Sequence, residues 1–460
     1  MCKPAVSLRM LVCLAAVGLV CVWAEPAYCQ QQNPAGVAID AQGLLQMKTF
    51  ADPTGQLTQE RFAAAKAALP REVAVHSGCR KVSLNAMEKE IAEHQGAVTD
   101  TMRRLAGLLR VRYVFYYPES HDIVLAGPAE GWAADLSGRE VGLTTHRPVL
   151  QLQDLIVALR AFAPGQPGAP LIGCSIDPTE DGLAAMQRFL RSIGSYANPN
   201  DPQRTQFIRD GLQNSLGLQK ITINGVSPKT NFARILVEAD YRMKLIGIGM
   251  EEPPVKMVTF IDRVHLAAVS RNALFRWFFT PDYKCVRVAE DGMAMELVGD
   301  GVKLVGEDEV VGAGGARQGA GAPKGNKASQ DFVVSFTKKY GQLAERAPVY
   351  AELRNVIDLA VTAAFIQQQG YYAKAGWSMP VFGDEKAFAV ETCNAPQAVA
   401  AAVGAVWKGN TLGTPIGGGV AINAAAALTS DNRLSDESGR VNKARDEGKL
   451  HLAKGQWWWD

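Results

Sequence analysis

The sequence predicts an α+β fold: mixed, largely antiparallel sheets with packed helices, in two or three subdomains. Three observations carry this. Strand and helix patterns mix without the strict alternation that a doubly wound sheet requires. Apolar runs joined by short turn sequences recur as hairpins. The 460 residues are 47% apolar, enough for a real core, and their number suits two or three domains of about 150 residues each.

The elements follow in order. Residues 33–48 read as a hairpin, with Val37-Ala38-Ile39 and Leu44-Leu45-Gln46-Met47 flanking Asp40-Ala41-Gln42-Gly43. Helical patterns cover 58–69, 85–94 and 99–108. A second hairpin spans 111–126. Its first arm, Val111 to Tyr117, carries strand formers on both faces and so suits a central strand. A helix at 150–161 and a strand from Leu171 to Ile176 lead into Asp177-Pro178-Thr179-Glu180. That tetrad offers a cap acceptor, a first-turn proline and a capping-box glutamate for a helix over 178–193. Asp201-Pro202 repeats the start signal for a helix to 215, followed by a strand at 218–224.

Ser227-Pro228 opens the clearest helix. Phe232, Ile235, Leu236, Ala239, Met243 and Ile246 form one apolar stripe. Arg234, Glu238 and Arg242 line another face, and Asp240 with Lys244 makes an acid-before-base pair. Residues 283–306 read as a β-meander with turns at Glu290-Asp291-Gly292 and Gly299-Asp300-Gly301. Residues 312–329 are rich in Gly and Ala and read as a flexible loop. Helices are expected at 329–341 and 348–369, the second apolar nearly all round and so central to its domain.

The N-terminal segment reads as a cleavable export signal, residues 1–29. Lys3 and Arg9 make a basic start, and residues 10–24 carry no charge. As a helix that run is about 22 Å long, against about 30 Å for a hydrocarbon core. It is long enough for a translocon and short for a permanent span. Cleavage fits before Glu25 or before Gln30. No second long apolar run follows, so no transmembrane span is expected after cleavage. Cleavage before Glu25 removes Lys3 and Arg9 and brings the formal charge of +2 to zero. Neutrality argues against general nucleic-acid or anionic-membrane binding.

Most common chemistries lack their motifs. Cys79, Cys174, Cys285 and Cys393 are far apart, with no Cys-x-x-Cys, which gives neither a zinc pattern nor a disulfide-dense scaffold. One or two long-range disulfides remain open, although Cys174 in its apolar strand suits a buried free thiol. His76, His94, His121, His146, His265 and His451 show no pair at ligand spacing. There is no phosphate loop, nucleophile elbow or zincin motif. No metal and no cofactor is expected.

Three features remain as candidates. Asp358 lies in an apolar helix, where a carboxylate must be paired or protonated. Arg354, one turn earlier, is the expected partner, and a general base with a raised pKa is the functional alternative. Asp240 belongs to an acid-rich neighbourhood with Glu238, Glu251, Glu252 and Asp262. Paired carboxylates could do glycosidase-type chemistry, or form a solvated ion-pair face. Trp457, Trp458 and Trp459 could stack on sugars or a partner, or dock into a groove of their own protein.

The stretches Ala35-Gly36-Val37 through Pro53-Thr54-Gly55, Val111 to Trp132, Ser175 to Pro178, Val237 to Lys244, Met295 to Glu309 and Trp407 to Asn410 resemble one family. It is an uncharacterised family of exported proteins of planctomycete bacteria, domain of unknown function 1598. The resemblance spans about residues 35–425 and implies a secreted bacterial protein, with no activity, cofactor or site residue attached.

The expected layout is a signal peptide at 1–29, an N-terminal α+β region at 33–146 and a central α+β region at 147–311 ending in the meander. The loop at 312–329, a helical region at 330–428 and a charged, disordered tail at 429–460 complete it. The expected function is a soluble binding or scaffolding component of the cell envelope, periplasmic or extracellular, with envelope proteins or glycans as partners. The alternative is an envelope hydrolase whose Asp and Glu residues are assembled by the fold.

Overall fold

Two large sheets organise the chain in the computed structural model. It describes residues 35–166, 168, 170–193, 201–264, 273–311, 317–319, 327–404, 416–447 and 452–460. The proposed signal at 1–29, most of the stretch 312–329, His265, His451 and Trp407 to Asn410 lie outside the described residues.

The first sheet has nine strands. From edge to edge they are Ala35–Ile39, Leu44–Thr49, Ala398–Ala400, Leu218–Asn224, Ile172–Asp177, Ile416–Ile422, Ala273–Pro281, Val302–Val311 and Arg317–Gly319. The second has seven: Arg433–Leu434, Val286–Val288, Ala294–Leu297, Tyr113–Tyr117, Asp122–Ala129, Ser77–Ser83 and Trp458–Trp459. Most pairs are antiparallel. Parallel pairing joins Leu44–Thr49 to Ala398–Ala400, Ala273–Pro281 to Ile416–Ile422, and Val286–Val288 to Arg433–Leu434. Helices pack against and between these sheets, and the fold is α+β.

Local sequence explains the central elements. Tyr113–Tyr117 sits inside its sheet and is packed on both faces. Val114 and Tyr116 join the main core, while Phe115 and Tyr117 join a smaller cluster with Ala294 and Val441. The helix Pro348–Gln368 starts on a first-turn proline and is buried almost all round. It packs against the helices Leu152–Ala161, Asn231–Gly247 and Lys327–Arg346. Trp277 is fully buried among Phe260, Phe275 and Phe332. Its space is provided by glycine: a Cβ on Gly247 would lie 2.3 Å from the indole, and one on Gly418 would lie 1.9 Å from the Trp277 carbonyl oxygen. Gly418 also holds a φ of 132°, which disfavours side chains.

Several expectations change. Residues 283–306 do not form one meander. Val286–Val288 pairs with Ala294–Leu297, but Val302–Val311 leaves for the other sheet and pairs with Ala273–Pro281. The helix after Ser227-Pro228 begins only at Asn231, with Thr230 as cap, its hydroxyl accepting from Ala233 N. Thr179 rather than Asp177 accepts from Gly182 N at the helix Glu180–Ile193, because the Asp177 carboxylate faces Arg276 at 3.2 Å. The 99–108 helix is a short turn, Asp100–Arg103, followed by a 3₁₀ turn with Ala106 at φ 52°. The four cysteines described are free thiols, Cys174 and Cys285 buried.

The tail at 429–460 is ordered where it is described. The helix Arg440–Asp446 packs on the seven-stranded sheet through Val441, and Trp458–Trp459 adds an edge strand to Ser77–Ser83. Apolar residues at wide spacing among the charges supply that packing, which a charge count overlooks. The seven-stranded sheet takes strands from residues 77–129, 286–297 and 433–459, and Asn33–Asp460 forms one compact unit. Among the described residues, no helix is long and apolar enough to cross a membrane.

Candidate functional site

The helix Asn231–Gly247 carries charge on two opposed, buried sides. Its stripe of Phe232, Ile235, Leu236, Ala239, Met243 and Ile246 is in the core, as its periodicity predicts. Towards the nine-stranded sheet, Asp240 is fully buried and Lys244 nearly so. Lys244 Nζ donates to Asp240 Oδ2 at 2.8 Å and to the Ile176 carbonyl at 3.0 Å. Asp240 Oδ1 has no hydrogen-bond partner among the described residues. Burial pushes the Asp240 carboxyl up to about 6, against the pull of Lys244. The Asp177–Arg276 pair lies close enough to act on it electrostatically.

The other side faces helices. Arg139 Nη2 donates to Glu238 Oε1, and Arg139 Nε donates to Glu352 Oε2 at 2.8 Å. Burial opposes the Arg139 charge, and the two carboxylates outweigh it and raise its pKa. Arg242 is 3.8 Å from Glu238 and donates to Glu251 at 2.7 Å. Of the expected solvated ion-pair face, Glu238 and Asp240 are buried and Glu251 is half-buried, each paired to a cation, while Glu252 and Asp262 are exposed. Once the core stripe packs, the flanking charges are covered by Pro348–Gln368 and must pair with one another.

Sequence reasoning missed Asp154. It is fully buried on the helix Leu152–Ala161, and its Oδ2 accepts from Asn231 Nδ2 at 2.8 Å. Burial pushes it from the ordinary 3.8 up to about 7. Because the folded pKa of this acid is raised, the folded state holds its proton where the unfolded chain has lost it. Its contribution therefore falls as pH rises from 3.8 to about 7. Asp154→Asn is expected to raise stability at pH 7 by about 4 kcal/mol and to leave it unchanged near pH 3. Urea unfolding at the two pH values checks this; an equal change at both would refute it.

Asp358 lies in a different cluster from Asp240. Its partner is not Arg354 but Arg110, whose Nε donates to Asp358 Oδ2 at 2.6 Å. Arg110 also donates to the Gly299 carbonyl at 2.8 Å, while Arg354 is 3.8 Å from Asp300. The helix Pro348–Gln368 packs against the loop of Arg110, so a residue distant in sequence reaches Asp358 first. Burial raises the Asp358 carboxyl above the ordinary range, and Arg110 offsets part of the rise.

The three terminal tryptophans dock onto their own protein. Trp457 is buried in the main core and its carbonyl accepts from Ser83 N at 2.8 Å. Trp458 lies over the Arg80 guanidinium at 4.8 Å, and Trp459 packs with Phe115 and Tyr117. Trp458 and Trp459 remain half-buried, while Trp457 is enclosed.

Among the openings at the surface of the described residues are one on the strand Leu218–Asn224 and one beside Tyr372 and Trp377, and neither Asp240 nor Asp358 lines them. One is a groove of about 700 Å³ on the strand Leu218–Asn224. Leu218, Lys220 and Asn224 are exposed on that strand, while Gln219 and Ile221 are buried or nearly so. The adjoining strand Ala398–Ala400 covers only its first residues, and Ile221 N donates to Gln397 O at 2.8 Å. Pro396 then has no N–H to continue the ladder, and the groove opens beside it, with Thr179 and Pro228 also in its lining. No carboxylate lines it. No sequence signal marks it, since its walls come from three distant stretches. Among the described residues, no group of three His, Cys, Asp or Glu side chains could hold a metal ion.

No curated protein and no solved structure matches the chain. Residues 174–260 match the model of a family described as a protein of unknown function, DUF1598. That segment contains the strand Ile172–Asp177 from Cys174 onward, the groove strand Leu218–Asn224 and the whole helix Asn231–Gly247. Over residues 174–260, the chain is similar to that domain-of-unknown-function family.

Proposed function

We propose that this protein is an exported, non-catalytic binding or scaffolding component of the cell envelope, with envelope proteins or glycans as its partners. The observation that carries the binding half is the groove on Leu218–Asn224. It is broad and carboxylate-free, most of its lining falls in the family segment, and its floor is a strand with an incomplete ladder. An extended chain can add main-chain hydrogen bonds along such a strand. Export rests on the sequence alone: a basic start, a short uncharged run and two cleavage positions.

The hydrolase alternative finds less support. Acid–base work needs a carboxyl that reaches a substrate, and Asp240 and Asp358 are both buried and cation-paired.

Two measurements test the proposal. Mass spectrometry of the mature chain should give an N-terminus at Glu25 or Gln30; one at Met1 would overturn export. The purified full chain should co-sediment with envelope fractions, and Leu218→Glu should weaken this at least about tenfold with the fold intact, since it buries a charge at the contact. Equal co-sedimentation of the two proteins would refute the groove as the binding surface.

A further inference from the structure

The groove on Leu218–Asn224 lies between two backbone hydrogen bonds. On one side of it Ile221 N donates to the Gln397 carbonyl, and on the other Cys393 N donates to the Lys229 carbonyl, both at 2.8 Å. Between these bonds the ladder is interrupted. The register of Ala398–Ala400 stops at Lys220, and Ala395 and Pro396 line the opening where a paired strand would continue.

An antiparallel ladder turns the N–H and C=O of alternate residues to the same side. The Ile221 N–H points to Gln397, away from the strand Ile172–Asp177. The N–H and C=O of Ile223 therefore point the same way, into the groove that Ile223 lines. They can exchange both hydrogen bonds with one residue of an added strand.

Side chains set the pattern of that strand. Residues directly opposite each other share a face, and successive residues alternate. Ile223 is half-buried and packs against the main core, so the residue opposite it takes an apolar seat. The neighbours of that residue come out beside Thr222 and Asn224, on the face where Lys220 is also exposed. Lys220 is the charged residue among those lining the groove. Its cross-strand neighbour Asp177 is turned to Arg276, at 3.2 Å.

We propose that the groove takes an extended peptide in which an aliphatic residue, paired through its main chain with Ile223, is flanked by acidic residues that meet Lys220. Main-chain pairing supplies affinity, and the apolar seat and the ammonium supply selectivity. A basic flank would face a like charge. This rests on the groove as the binding surface and narrows its partner to a protein with an exposed acidic and aliphatic segment.

The probes are three labelled, C-terminally amidated pentapeptides: Thr-Glu-Val-Glu-Thr, Thr-Lys-Val-Lys-Thr, and the first with N-methylvaline. Each is titrated into the full chain and followed by fluorescence anisotropy. The Glu peptide should saturate one site, and the Lys peptide should bind about fivefold more weakly. N-methylation should weaken binding at least about tenfold, because it removes the donor to the Ile223 carbonyl. Lys220→Glu, at an exposed position, should reverse the charge preference. Equal affinity for the valine and N-methylvaline peptides, or a charge preference that Lys220→Glu does not move, would overturn the proposal. So would absence of saturable peptide binding while Leu218→Glu still lowers envelope co-sedimentation, since the groove would then hold a partner without a paired strand. No peptide binding together with co-sedimentation unchanged by Leu218→Glu would overturn the groove itself.

Discussion

Arg80→Met is expected to destabilise the protein by about 3–5 kcal/mol at neutral pH, measured by urea unfolding. Arg80 lies on the strand Ser77–Ser83 and is fully buried. Its guanidinium donates to the carbonyls of Val73, Ala106 and Val75 at 3.1, 2.7 and 3.0 Å, and to that of Glu72 at 3.3 Å. Its Nε and Nη2 also donate to the Asp460 carboxylate at 2.9 and 3.1 Å. Methionine keeps much of the volume and satisfies none of these acceptors. Asp460→Asn should cost far less, about 1 kcal/mol, because Asp460 is 45% exposed and water can replace part of the pair. Equal costs for the two variants would show that Arg80 serves only to hold the tail.

Arg139→Met is expected to cost a similar 3–5 kcal/mol, for a different reason. Arg139 separates two carboxylates, Glu238 at 1% and Glu352 at 13% side-chain exposure. Without it Glu238 keeps Arg242, which is 3.8 Å away and already committed to Glu251. Adding Glu238→Gln to Arg139→Met should recover part of the loss, because it removes one uncompensated charge. A double variant as unstable as the sum of the single ones would place the effect in packing rather than charge.

The two regions differ in how far the sequence could reveal them. Tyr113–Tyr117 is legible because strand formers on successive positions leave it no wet face. Pro348–Gln368 is legible because its apolar residues leave no polar side. The pair Asp240–Lys244 follows from helical spacing alone. Long-range partners do not: Arg110 for Asp358, Arg139 for Glu238 and Arg80 for Asp460 are each set by how elements stack. The same holds for the strand Val302–Val311, which fits a meander locally and is taken by the other sheet. The tail shows the complementary case. Three tryptophans outweigh the surrounding charges once an edge strand and a buried arginine are there to receive them. Both openings are assembled from residues distant in sequence, and only the fold brings their walls together.

We propose that Asp240 and Asp358 hold the fold and do not turn over a substrate. The most direct measurement is release of soluble fragments from envelope glycans and peptides by the purified full chain, with Asp240→Asn and Asp358→Asn alongside. The expected result is no release above background by any of the three proteins, with both variants altered in stability. Release by the natural chain that disappears in either variant while its folding is unchanged would contradict it.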